Sequence, residues 1–65
     1  MYQVAERLPD PDVMLIVNAI DDVSGKQYGG AAMYGQNGKW YWTFDREKTD
    51  IIPYRVTEWR YMDRT

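Results

Sequence analysis

Residues 13–20 read VMLIVNAI, an apolar run rich in β-branched side chains, closed by LPDPD before it and by DDVSGK after it. Pro and Asp punctuate one end, and Asp-Asp and Gly the other. The pattern therefore predicts a strand rather than a short helix. Val13, Leu15 and Val17 alternate onto one face and Met14, Ile16 and Ile20 onto the other, so this strand requires cover on both sides. Two further β-type runs follow, QYGGAAMY at 27–34 and KWYWTF at 39–44, separated by GQNG. Asn-Gly between such runs predicts a hairpin, because both central residues of a type I′ turn need positive φ. With a two-residue loop at Asn37-Gly38 or a four-residue loop over 35–38, the parity is the same. Gly29, Ala31 and Met33 then share a face with Trp40, Trp42 and Phe44, leaving Tyr28, Tyr34, Lys39, Tyr41 and Thr43 on the other.

DREKTD at 45–50 reads as a solvated charged loop or a single helical turn. IIPYRVTEWRYM at 51–62 reads as a last strand. Pro53 cannot donate a ladder hydrogen bond and belongs before that strand, at an edge or at a bulge. From Arg55 onward Thr57, Trp59 and Tyr61 alternate with Val56, Glu58, Arg60 and Met62. The fold expected is mainly β: one domain spanning 1–65, built as a small antiparallel meander of three or four strands. Its core would be Leu15, Val17, Met33, Trp40, Trp42, Phe44 and Trp59.

Length and composition sharpen this picture. A chain of 65 residues buries only about 60% of the surface its unfolded form exposes. With no Cys and no His, neither a disulfide nor a typical zinc site can hold it. Three Trp, six Tyr and one Phe supply the apolar area instead, and association with a second copy as a homodimer, or with a partner, could add more. The first strand, apolar on both faces, makes the same demand.

Eight Lys plus Arg against ten Asp plus Glu give a net charge of −2 with the signs interspersed. This lacks the basic stripe by which proteins displace counterions from nucleic acid. No apolar run approaches a membrane span and residues 1–6 have no signal-peptide character, so a cytoplasmic location is expected.

Catalytic chemistry has little to work with. The single Ser, Ser24, has no His to activate it. Asp10 with Asp12 and Asp21 with Asp22 flank opposite ends of the first strand, roughly 25–30 Å apart at about 3.3 Å per residue, and read as turn residues. No catalytic residue, metal site or cofactor is implied, and a non-enzymatic interaction module is the leading reading. Tyr28, Tyr34, Tyr41, Glu58 and Arg60 are its candidate contact residues, since Tyr and Arg concentrate in binding hot spots. The rival is a small-ligand or nucleotide binder that stacks a flat ring on Tyr34, Tyr41 and Trp59.

Glu6-Arg7-Leu8-Pro9-Asp10, the short apolar strand after it, Ala32 and Tyr34 in GAAMYG, Trp40 or Trp42, and Val56-Thr57-Glu58-Trp59 together resemble the small phage and prophage family catalogued as domain of unknown function 551. The likeness spans nearly the whole chain through short motifs. Tyr2 stands where that family usually has Trp, Glu58 where His is common, and RYMDRT replaces a Pro-Leu-Pro tail. The resemblance implies a mobile-element accessory protein without catalytic residues. In that context the partner would be a host protein or protein complex, and the role that of an inhibitor acting on a host enzyme or on a defence assembly such as a CRISPR effector.

Overall fold

A computed structural model describes residues 1–45 and 47–62. Six strands form one antiparallel sheet: β1 (Tyr2–Gln3), β2 (Leu15–Ile20), β3 (Gln27–Tyr34), β4 (Trp40–Phe44), β5 (Glu47–Ile51) and β6 (Arg55–Tyr61). Their spatial order is β1-β6-β2-β3-β4-β5. The meander from β2 to β5 is thus completed by the last strand, which returns to lie between β1 and β2. Four strands were legible in the sequence. The two missed ones are both edges: β1 is only two residues long, and β5 carries the charged run expected to be a loop. Lys and acidic side chains on an outer strand are a known protection against edge-to-edge pairing, so a charged sequence and a strand are compatible there. Arg46, which belonged to the expected loop, lies outside the described residues.

One face of the sheet carries the core. Leu15, Val17, Ala19, Ala32, Ile52, Val56 and Trp59 are buried together, and Val4, Val13, Tyr34, Trp40, Trp42, Tyr54 and Tyr61 pack against them. Trp59 has no exposed surface and is the largest fully buried side chain. Val4, Val13, Ile52 and Tyr54 come from outside the strands. Val4 N–H donates to the Thr57 carbonyl at 3.0 Å and Ile52 N–H to the Trp40 carbonyl at 2.9 Å. These bonds hold the N-terminal segment and the β5–β6 connection against the sheet.

The β3–β4 hairpin departs from both expected registers. Tyr34 pairs with Trp40 and Ala32 with Trp42. Gly35 N–H donates to the Lys39 carbonyl at 2.7 Å, and Gly38 N–H to the Gly35 carbonyl at 3.0 Å. This is a three-residue loop with Gly38 at φ 82°, the arrangement in which a left-handed glycine forms a bulge at the end of a tight turn. An odd loop inverts parity. Trp40 and Trp42 therefore share a face with Tyr34, Ala32 and Gly30, whereas Gly29, Ala31 and Met33 lie on the opposite side. Met33 is buried, but it is not part of the aromatic core.

Phe44 is a second correction: it is 79% exposed. A Cβ on Gly30 would meet the Trp42 indole at 3.5 Å, so that indole covers the small residue of β3 on this face. Pairing of β4 with β3 ends at Trp42, and Phe44 continues into the outer hairpin opposite Glu47. The last strand also breaks its expected alternation. Val17 faces Trp59 and Ala19 faces Val56, with a register shift between Asn18 and Ala19. The bulge brings Val56 and Trp59 to the same core face.

Candidate functional site

The five residues expected to form one contact surface are divided between the two faces of the sheet. Tyr28 stacks on Tyr54 with ring centroids 4.3 Å apart and planes 5° from parallel. Tyr34 tilts against Trp40 at 4.7 Å. Both belong to the core side, half-buried, because the hairpin parity that carried the tryptophans there carried these tyrosines with them. Hydrogen bonding with the Tyr54 hydroxyl raises the Tyr28 phenol above its ordinary 10.0. Tyr41, Glu58 and Arg60 lie on the opposite, outward face. Tyr34 and Tyr41 thus face opposite ways and Trp59 is wholly buried, so the three rings expected to stack a flat ligand do not meet.

The outward face has a composition that alternation along single strands does not reveal. Met33 pairs with Tyr41, and Tyr41 with Ile51. Met14 immediately precedes Leu15 and Met33 immediately follows Ala32, the residues of the last β2–β3 pair, and Met62 N–H donates to the Met14 carbonyl at 3.1 Å. Met62, Met14, Met33, Tyr41 and Ile51 therefore form one row across five segments that are neighbours in the sheet. Ile16 and Ala31 lie beside it in the next row, directly across from each other, and Arg60 is directly across from Ile16. All but Met33 retain exposed surface, and Ile51 is 50% exposed. No second layer of strands or helices covers this face among the described residues.

A polar clasp crosses part of the row. Asp12 ion-pairs with Lys48 and accepts from Gln36 Nε2 at 2.9 Å. These bonds hold the Asp12 carboxylate below its ordinary 3.8, and its backbone adopts φ 61°. Lys48 also lies 5.8 Å from the Tyr41 ring centroid, while Asn37 Nδ2 donates to the Tyr41 hydroxyl at 2.9 Å. With Gly35, these groups line an open depression of about 380 Å³. Met33, buried on this face, lines a neighbouring open depression of about 370 Å³ together with Asp12, Glu47 and Lys48.

At the other end, Glu58 is engaged within the fold. Asn18 Nδ2 donates to its Oε1 at 2.8 Å and Gln3 Nε2 to its Oε2 at 3.1 Å. A smaller cavity of about 200 Å³ adjoins them, lined by Asn18, Ala19, Ile20, Gln27, Thr57 and Glu58. Asp21 and Asp22 behave as turn and surface groups. Asp21 Oδ1 accepts from the Val23 N–H at 2.9 Å, and Asp22 forms a forked pair with Arg55. Among the described residues no three carboxylates cluster in a way that could hold a metal ion.

The two ends of the chain that carry the motif resemblance meet in space. Trp59 Nε1 donates to the Arg7 carbonyl at 2.8 Å, and the Tyr2 ring lies 4.7 Å from the Trp59 ring with the Arg7 guanidinium 4.8 Å from its centroid. Pro9 is buried in the same segment, and Asp10 N–H reaches the Tyr61 hydroxyl at 3.2 Å. ERLPD and VTEW are thus two halves of one packing unit. No described helix is long and apolar enough to cross a membrane. No family model, curated protein or solved structure matches the chain.

Proposed function

We propose that this chain is a non-enzymatic protein-interaction module that docks its partner on the outward face of the sheet. The observation that carries this reading is the row Met62, Met14, Met33, Tyr41 and Ile51, flanked by Ile16 and Arg60. Met, Tyr and Arg are enriched in the cores of protein interfaces and Lys and Glu are depleted there. Methionine in particular adapts its shape to a partner at little cost in strain. The resemblance to a phage and prophage family supports the context of a mobile-element accessory protein acting in the host cytoplasm. Its partner would then be a host protein or complex, and its effect inhibitory.

The test is an affinity capture from host lysate with the parent and with Tyr41→Ala and Arg60→Ala, each checked for folding by circular dichroism. Loss of one specific captured protein in both folded variants supports the reading. Retention in both, with loss in a folded Tyr28→Ala or Trp40→Ala variant, assigns binding to the core side and overturns it.

A further inference from the structure

Arg60 is exposed and has no hydrogen-bond or ion-pair partner among the described residues. Several other cations are already engaged: Lys48 by Asp12, Arg55 by Asp22, and Arg7 by the Tyr2 ring. The carboxylate placed to neutralise Arg60 is Glu58, two residues earlier on the same strand and face. Both of its oxygens already accept hydrogen bonds from the Asn18 and Gln3 amides. Arg60 thus stands beside an apolar patch as a planar cation with no hydrogen-bond or ion-pair partner among the described residues, with Ile16 directly across the ladder and Met62 just past the end of its own strand.

A guanidinium in that position receives a carboxylate through two parallel hydrogen bonds, a geometry that an ammonium cannot reproduce. We infer that the outward face receives an acidic peptide segment, one whose Asp or Glu carboxylate is held by Arg60 while adjoining aliphatic or aromatic side chains settle on Met14, Ile16 and Met62. This specifies the partner chemistry and rests on the docking face proposed above. A neutral apolar segment would leave Arg60 desolvated without compensation, and a basic one would be repelled, so the charge at this position selects among apolar partners.

The experiment is selection of binders from a displayed library of random peptides against the parent, then titration of the enriched peptides against Arg60→Ala, Arg60→Lys and Arg60→Glu. Arg60 is exposed, so these variants are expected to fold, and circular dichroism verifies it. Enriched sequences should carry Asp or Glu next to Leu, Ile, Phe or Met. Binding should fall roughly tenfold or more in Arg60→Ala and by less in Arg60→Lys. Peptides with Asp or Glu replaced by Lys should regain affinity for Arg60→Glu. Enrichment without acidic residues, equal binding to Arg60→Ala, or no enrichment at all each overturns the inference. If peptides bind Arg60→Ala as well as the parent but lose affinity for Tyr41→Ala, the docking face stands and only the acidic partner falls.

Discussion

Trp59 and Phe44 are both large aromatics that the sequence assigns to one core, and truncating each tests whether the core has been located correctly. Trp59 has 0% exposure and Phe44 79%. Removing a buried Trp side chain costs about 3–5 kcal/mol, and a single core of this size rarely supplies more than about 3–5 kcal/mol in total. Trp59→Ala is therefore expected to be largely unfolded at 25 °C. Trp59→Phe keeps most of the apolar area but removes the donor to the Arg7 carbonyl. Lost hydrogen bonding and lost volume together amount to about 1–3 kcal/mol. With a urea slope of about 1 kcal/mol/M for a small chain, its midpoint should fall by about 1–3 M. Phe44→Ala should stay within about 0.5 kcal/mol of the parent, as exposed substitutions do. The assay is urea denaturation followed by fluorescence of Trp40 and Trp42 together with far-ultraviolet circular dichroism. A Phe44→Ala variant destabilised as much as Trp59→Phe would refute the assignment of Trp59 to the core and Phe44 to solvent.

Gly38→Val should destabilise more than Gln36→Val by about 1–2 kcal/mol, because only the former forces a β-branched residue to a left-handed φ of 82°; paired thermal melts check it. Asp12, Asp21 and Asp22 all have folded-state values held below the ordinary 3.8, so the stability they contribute is complete above that value. It is lost as pH falls through 3.8 toward their folded values, and Asp22→Asn should flatten this acid limb of a stability profile measured at low salt. Asn18→Ala should release the Glu58 carboxylate from one of its two amides, and with it weaken any acidic ligand at Arg60 through the newly available internal competitor, measurable as a reduced affinity for the selected peptides.

Most of the architecture was legible where sequence and packing follow one rule. The residues 13–20 run became β2, Pro53 precedes β6, and the outer face of β2 is left without a covering layer, as the double-sided apolar pattern warned. The failures have a common origin in single-residue irregularities. One left-handed glycine in the 35–39 turn reversed the facing of the aromatic strands, and one register shift at Asn18/Ala19 put Val56 beside Trp59. Because strand side chains alternate every second residue, either event exchanges a core residue for a surface one, and no local composition signals which loop length will form. The outward methionine row was hidden for a different reason. Its members are spread across the sequence from residue 14 to residue 62 and become neighbours only through cross-strand register. Arg60 and Tyr41 could be singled out by residue type, but their shared face required the structure.

The position of β6 between β1 and β2 has a consequence for how the chain reaches this state as it is synthesised. Residues 15–51 form four strands in sequence order, yet the inner flank of β2 is closed only by residues 55–61, and Trp59, the largest fully buried side chain, arrives with them. Until that segment emerges, the nascent meander presents an open β2 edge of Leu15–Ile20, apolar on both faces, to every neighbouring chain. Contacts joining β6 to β1 and β2 span thirty-five to fifty-seven residues of a 65-residue chain, so closure is a late and comparatively slow event. A chain truncated shortly before residue 55 would be an aggregation-prone fragment rather than a smaller working domain.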